Sequence, residues 1–174
     1  PIEAFEKSYV RANYLGSIYN YNSSSSSAQV MKNFKDTIES YESKKECVMR
    51  IYNDNGSLAG KYSMSIFNTV GHNGGISSFA GGDRAFVHIN VPENPQDLSI
   101  LIIKDSYADQ LAPFFVENYG NIYIIDPRYN STKKLVEKFA SEGIDDILFV
   151  NNLQVANSNY WQSAYARLAG FSSP

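Results

Sequence analysis

Three uninterrupted apolar runs mark the second half of the chain: "SILII" at 99–103, "NIYIID" at 121–126 and "DDILFV" at 145–150. Continuous apolarity of this length is the signature of a strand buried on both faces. Between the runs, apolar residues recur at helical spacing. Tyr107, Leu111, Phe114 and Phe115 form one such set, and Pro113 within it predicts a kink or a restart. Leu135, Val136 and Phe139 in "STKKLVEKFASEG" form another, with Ser131 as a cap and Gly143 as a stop. A last helix is expected over about 158–168, carrying Tyr160, Trp161, Tyr165 and Leu168. Strands alternating with helices predict parallel strands joined by right-handed crossovers.

The first half has a different rhythm. "AQVMKNFKDTIESYESKKE" (28–46) places Val30, Phe34, Ile38 and Tyr41 at helical spacing and predicts a helix. "CVMRIY" and "KYSMSIF" read as strands around "NDNGSLAG", where Asn55-Gly56 suits a tight hairpin. "RAFVHINV" (84–91) alternates as a strand does, and "PENPQD" ends that half with two prolines. The serine run Ser23 to Ser27 and the glycine-rich "HNGGISSFAGGD" (72–83) read as loops. The length of 174 residues suits one domain, with a mixed part over 1–95 and a parallel α/β half over 96–174.

Composition narrows the function. An apolar fraction of 43% with 13 Tyr and 10 Phe is enough for a real core. A net charge of -3 without a basic block argues against nucleic acid as a partner. No apolar run reaches the roughly 18 residues of a membrane span. Cys47 is the single cysteine, which excludes an internal disulfide, CxxC redox chemistry and a cysteine-based zinc site. Pro1 is not a natural start, so the chain is expected to be a piece of a longer protein whose anchor, if it has one, lies elsewhere.

Candidate chemistry gathers where the predicted parallel strands end, the edge at which open α/β sheets bind ligands. Lys104-Asp105-Ser106, Asp126-Pro127-Arg128 and Asn151-Asn152 all follow strands. Ser106 has two readings. With Asp109 three residues on, it fits a helix-capping box. At a strand-to-helix turn it also fits a nucleophile beside backbone N–H groups that stabilise an oxyanion. Asp105 reads as a turn residue. His88 reads as a sheet histidine and His72 as a loop histidine, and neither has an acid spaced to orient it as a base. Asp145 and Asp146 precede their strand, which places them at the wrong end for a metal or phosphoacceptor site with Asp105 and Asp126. The glycine-rich loops lack the order of a phosphate cradle. No metal or cofactor is expected.

"LIIKDSYADQLAPFF", "NIYIIDPRY" and "IDDILFVNN" together resemble the DHHW family of bacterial envelope proteins. These are relatives of the SGNH hydrolases and of alginate O-acetyltransferase-like proteins. "NYLGSIYNYNSSSS" and "KDTIESYE" resemble the family's less regular region before the serine. The resemblance implies an SGNH-like, flavodoxin-like three-layer parallel sheet with a β-containing N-terminal extension. It implies Ser106 as nucleophile, with Lys104 where SGNH enzymes have glycine. It further implies Asn151 or Asn152 as an oxyanion-hole residue, Arg128 facing an anionic or sugar substrate, and Tyr107 as a further oxyanion or substrate contact. The family's Asp-His pair belongs to a D-H-H-W motif upstream of the serine, which this chain does not contain, so the base is expected outside it. The implied function is O-acyl transfer or ester hydrolysis on a cell-envelope glycan, in a protein outside the cell membrane or tethered to it. The alternative is a non-catalytic glycan-binding or scaffolding domain of the same fold.

Overall fold

The computed structural model describes residues 2–16, 19, 22–63, 82–129, 141–153 and 157–169. The glycine-rich stretch with His72 lies mostly outside them, as does most of the helix expected over 131–143. The fold is mixed α/β, built on a six-stranded sheet.

The central strands form where the apolar runs predict them. β1 (Phe5–Tyr14) and β2 (Asp36–Ser43) make a separate antiparallel ribbon. β3 (Val48–Tyr52), β4 (Leu58–Ser63), β5 (Phe86–Asn90), β6 (Ser99–Lys104), β7 (Asn121–Ile125) and β8 (Asp146–Val150) form the main sheet, in the order β4-β3-β5-β7-β6-β8. β6 runs parallel to both β7 and β8, whereas β3, β4 and β5 join antiparallel. The sheet is therefore mixed, not wholly parallel. Strands of the first half are part of it, and β5 pairs directly with β7 across position 95.

β6 is buried along its whole length. Ile100 and Ile102 pack on one face with Ala108, Ala112 and Val116 from the segment that follows. Phe5, Ile38 and Tyr41 of the ribbon belong to the same cluster, and Phe114 packs edge-on against Phe5 at 5.1 Å. Leu101 and Ile103 pack on the other face with Leu168 and Tyr165 of α2, the helix Asn159–Leu168. Period-two alternation thus feeds two cores from one strand.

Several expectations fail for physical reasons. The helix expected over 28–46 stops early. α1 spans only Ser26–Met31, capped by Ser25, whose hydroxyl accepts from Ala28 N at 3.1 Å. Part of the serine run is thus a helix start, not a loop. From Asp36 the chain pairs with β1, which lets Ile38 pack against the core cluster and Tyr41 reach Phe114, while Phe34 stays 76% exposed. β8 is not buried on both faces. It is the edge strand, with Ile147 and Phe149 exposed. In the hairpin Gly56 alone takes a positive φ, +81°, with Gly56 N bonded to Asn53 O. That is a type I turn closed by a glycine. After β6 the expected helix is two 3-10 segments, Ser106–Asp109 and Ala112–Glu117, with Pro113 opening the second. Gly120 lies so close to Pro95 O that any Cβ there would collide.

Candidate active site

Parallel pairing sets the site. Lys104 lies opposite Val150, and Asp105 N donates to Val150 O at 3.2 Å. The residues that follow, Ser106 on one side and Asn151-Asn152 on the other, are therefore neighbours across one interstrand spacing. β7 on the other flank delivers Asp126 and Arg128 to the same edge.

Asp105 organises this junction. It is buried, and its two carboxylate oxygens face different partners. Oδ1 accepts from Tyr107 N at 2.9 Å, and Oδ2 accepts from Asn152 N at 2.8 Å. The cap of the 3-10 turn is thus Asp105, not Ser106, which corrects the capping-box reading. Ser106 is half-buried, and among the described residues no hydrogen bond engages its hydroxyl. The same bonds occupy the backbone N–H groups of Tyr107 and Asn152, so neither is available to an oxyanion. What Tyr107 offers is its ring, 63% exposed.

Asn151 differs from its neighbour. Its Oδ1 accepts from the Tyr165 hydroxyl, and its Nδ2 is buried with no partner among the described residues.

A charged cluster lies beneath the site. Lys104, 1% exposed, places Nζ 2.5 Å from Asp109 Oδ1, 3.4 Å from Asp83 Oδ1 and 3.7 Å from Asp126 Oδ2. Arg128 grips Asp126 through Nε and a terminal nitrogen, and also reaches Asp83 at 2.7 Å. Two carboxylates, Asp126 and Asp83, thus hold its guanidinium. Its flat face lies over Tyr129 at 5.2 Å and Trp161 at 5.5 Å. Burial pushes the Asp109 carboxyl up to about 7, against Lys104, which pulls it down; Asp83 and Asp126 push it further up. Lys104 is thus the partner that holds the Asp109 carboxyl.

The remaining candidates sit elsewhere. His88 Nε2 is 2.9 Å from Asn121 Oδ1, at the amino end of β7, and the ring stacks on Tyr123. Asp145 accepts from Ser99, and Asp146 accepts from Tyr119, also at the amino end. Cys47 is buried, and burial pushes its thiol up to about 11. The sequence reading missed Asp83, Asp109 and Tyr165 as members of the site. For Asp109 a signal existed, a carboxylate one turn after a lysine at a strand end. For Asp83 and Tyr165 only the fold makes the link.

Comparison with known proteins identifies the family. The sequence profile described as DHHW protein matches residues 2–125. The chain belongs to the DHHW family. Ser106 falls inside the matched span, whereas Arg128, Asn151 and Asn152 lie beyond it. Among solved structures, a DHHW family protein from Eubacterium siraeum is similar over 100% of this chain and 55% of its own, with TM-score 0.77 and 21% identity. Bacillus cereus PatB1 with a sulfonyl adduct is similar over 93% of this chain and 51% of its own, with TM-score 0.64 and 13% identity. A second PatB1 structure covers 87% of this chain and 50% of its own, with TM-score 0.56 and 16% identity. At these identities the likeness is one of fold. The chain spans about half the length of these DHHW and PatB1 structures. No curated protein matches the sequence.

Proposed function

We propose that the full protein is an SGNH-type O-acyltransferase or esterase acting on a cell-envelope glycan, with Ser106 as nucleophile and the three-layer sheet arrangement of that group. The observation that carries the reading is the state of Ser106. Its hydroxyl is released from capping by Asp105, and it stands one strand from an amide donor without a partner among the described residues. Attack by Oγ on an acyl carbonyl forms the new C–O bond and moves charge onto the carbonyl oxygen. Asn151 Nδ2 is the side-chain donor suited to that oxygen. Collapse expels the leaving group and leaves an acyl-serine, which an acceptor hydroxyl or water then releases.

A serine hydroxyl needs a base to take its proton. His88 is turned to the opposite end of the sheet, so this reading assigns the base to the D-H-H-W segment of the full protein, outside this chain. The sulfonyl adduct on PatB1 supports the search for a nucleophile here, because sulfonyl groups are captured by activated nucleophiles. The exposed rings of Tyr107, Tyr129 and Tyr160 follow β6, β7 and β8, and they suit a sugar ring.

The test is turnover of 4-nitrophenyl acetate by the full-length protein with and without Ser106→Ala. Loss of turnover at unchanged melting temperature supports the serine reading, and full activity in the variant retires it. The second reading, a glycan-binding domain without catalysis, is favoured by the carboxylates around Ser106 and by the position of His88. It predicts glycan retention that is indifferent to Ser106→Ala.

A further inference from the structure

Asn151 is held at one end of its amide and open at the other. The carbonyl oxygen accepts the Tyr165 hydroxyl, while Nδ2 is buried and unpartnered among the described residues. A buried donor without an acceptor is costly, and native proteins keep few of them.

The backbone on either side of Asn151 is already fixed. Val150 O accepts from Asp105 N at 3.2 Å, and Asn152 N donates to Asp105 Oδ2 at 2.8 Å. Both bonds run to the residue before Ser106. The freedom that remains is rotation of the Asn151 side chain, and Tyr165 removes it. Tyr165 is fixed in turn. It sits on α2, 5.9 Å from the Trp161 ring and 6.0 Å from that of Phe149, and packs against the core beneath β6. Burial pushes its hydroxyl up to about 12, with Asp105 and Asp126 adding to the rise and the bond to Asn151 working against it. The hydroxyl donates to the Asn151 oxygen, which leaves the nitrogen facing the other way.

We infer that Tyr165 is a positioning residue that orients the Asn151 amide, so that Nδ2 is the donor offered to the carbonyl oxygen of an acyl group on Ser106. The inference rests on the serine reading above and extends it to a helix that touches no reacting atom. Tyr165→Phe keeps the ring packing and deletes only the orienting bond.

The experiment is a double-mutant cycle in the full-length protein with 4-nitrophenyl acetate. Asn151→Ala lowers kcat about 100-fold. Tyr165→Phe lowers it roughly tenfold, the worth of one hydrogen bond, with KM nearly constant. The double variant is no slower than Asn151→Ala, because Tyr165 acts only through Asn151. Tyr165→Phe with full kcat overturns the inference, as does an equal loss whether or not Asn151 is present. Undiminished turnover by Ser106→Ala instead rejects the serine reading, with the oxyanion role that depends on it. A second measurement judges the orienting bond alone. In ¹⁵N-labelled full-length protein the buried Asn151 side-chain amide protons exchange slowly with solvent, and Tyr165→Phe speeds that exchange. Identical exchange in both proteins overturns the positioning role whatever the activity.

Discussion

The two ends of the parallel strands are built from similar residues and treated in opposite ways. At the amino end every buried polar group named here finds a partner. Ser99 N and Oγ both bond Asp145 Oδ2, and Oγ also donates to Gly143 O at 2.7 Å. Asn94 Nδ2 donates to Val116 O and Tyr119 O, while its Oδ1 accepts from Lys45 Nζ at 2.6 Å. At the carboxyl end the bonding is incomplete. Among the described residues Ser106 has an unengaged hydroxyl and Asn151 an unpartnered nitrogen. One end is sealed for stability, and the other leaves valences open. Proteins break their own packing rules chiefly where a ligand or a reaction completes them.

Substitutions at the two ends sharpen this contrast. The largest stability loss is expected at the carboxyl end. Lys104→Met leaves Asp109 and Asp126 without their buried cation and costs about 3–5 kcal/mol. Urea unfolding checks it, and a loss under about 1 kcal/mol would show that the cluster is solvated. Next comes the amino end. Asn94→Ala orphans two carbonyls and costs about 1–3 kcal/mol, with turnover of the full protein per folded molecule unchanged. A selective loss of kcat there would erase the division between the ends. Ser99→Ala removes the hydroxyl donor shared by Gly143 O and Asp145 Oδ2 and costs about 1 kcal/mol by the same measurement.

A further effect is a slope. The Asp109 carboxyl titrates near 7 in the native state and near its ordinary value, about 3.9, when unfolded. Between those values the native protein holds a proton that the unfolded chain has released. Stability from this group therefore falls as pH rises through that window. Asp109→Asn flattens the fall, as seen by comparing urea midpoints at acid and neutral pH. A slope identical to that of the unaltered protein would place the titrating proton elsewhere.

Much of the sheet is legible in the sequence because burial writes itself into composition. Ile100 to Ile103 and Ile122 to Ile125 face two cores, so no polar residue interrupts them. The parallel pairing of β6 with β7 and β8 follows from the spacing between apolar runs, and it brings Ser106 and Asn151 to one edge. β8 shows the limit. Ile147 and Phe149 are as apolar as the core but face outward, and composition alone does not distinguish an edge strand from a central one. Residues 28–46 show another limit. Ile38 and Tyr41 satisfy a helical spacing and also a strand paired with β1, and tertiary pairing decides between them. Asp105 and Ser106 are not separable in the sequence because either side chain can cap a turn, and in the fold it is Asp105 that does so. Tyr165 reads as one aromatic among three on its helix until the fold sets it beside Asn151.

Whether Ser106 is the nucleophile is tested most directly by covalent capture. Full-length protein treated with phenylmethylsulfonyl fluoride, digested and sequenced by mass spectrometry, is expected to carry one sulfonyl group on the peptide containing Ser106. Its appearance should parallel the loss of turnover, and Ser106→Ala should take up none. A protein that is inactivated while its label sits on another residue, or that keeps its label in Ser106→Ala, would contradict the account.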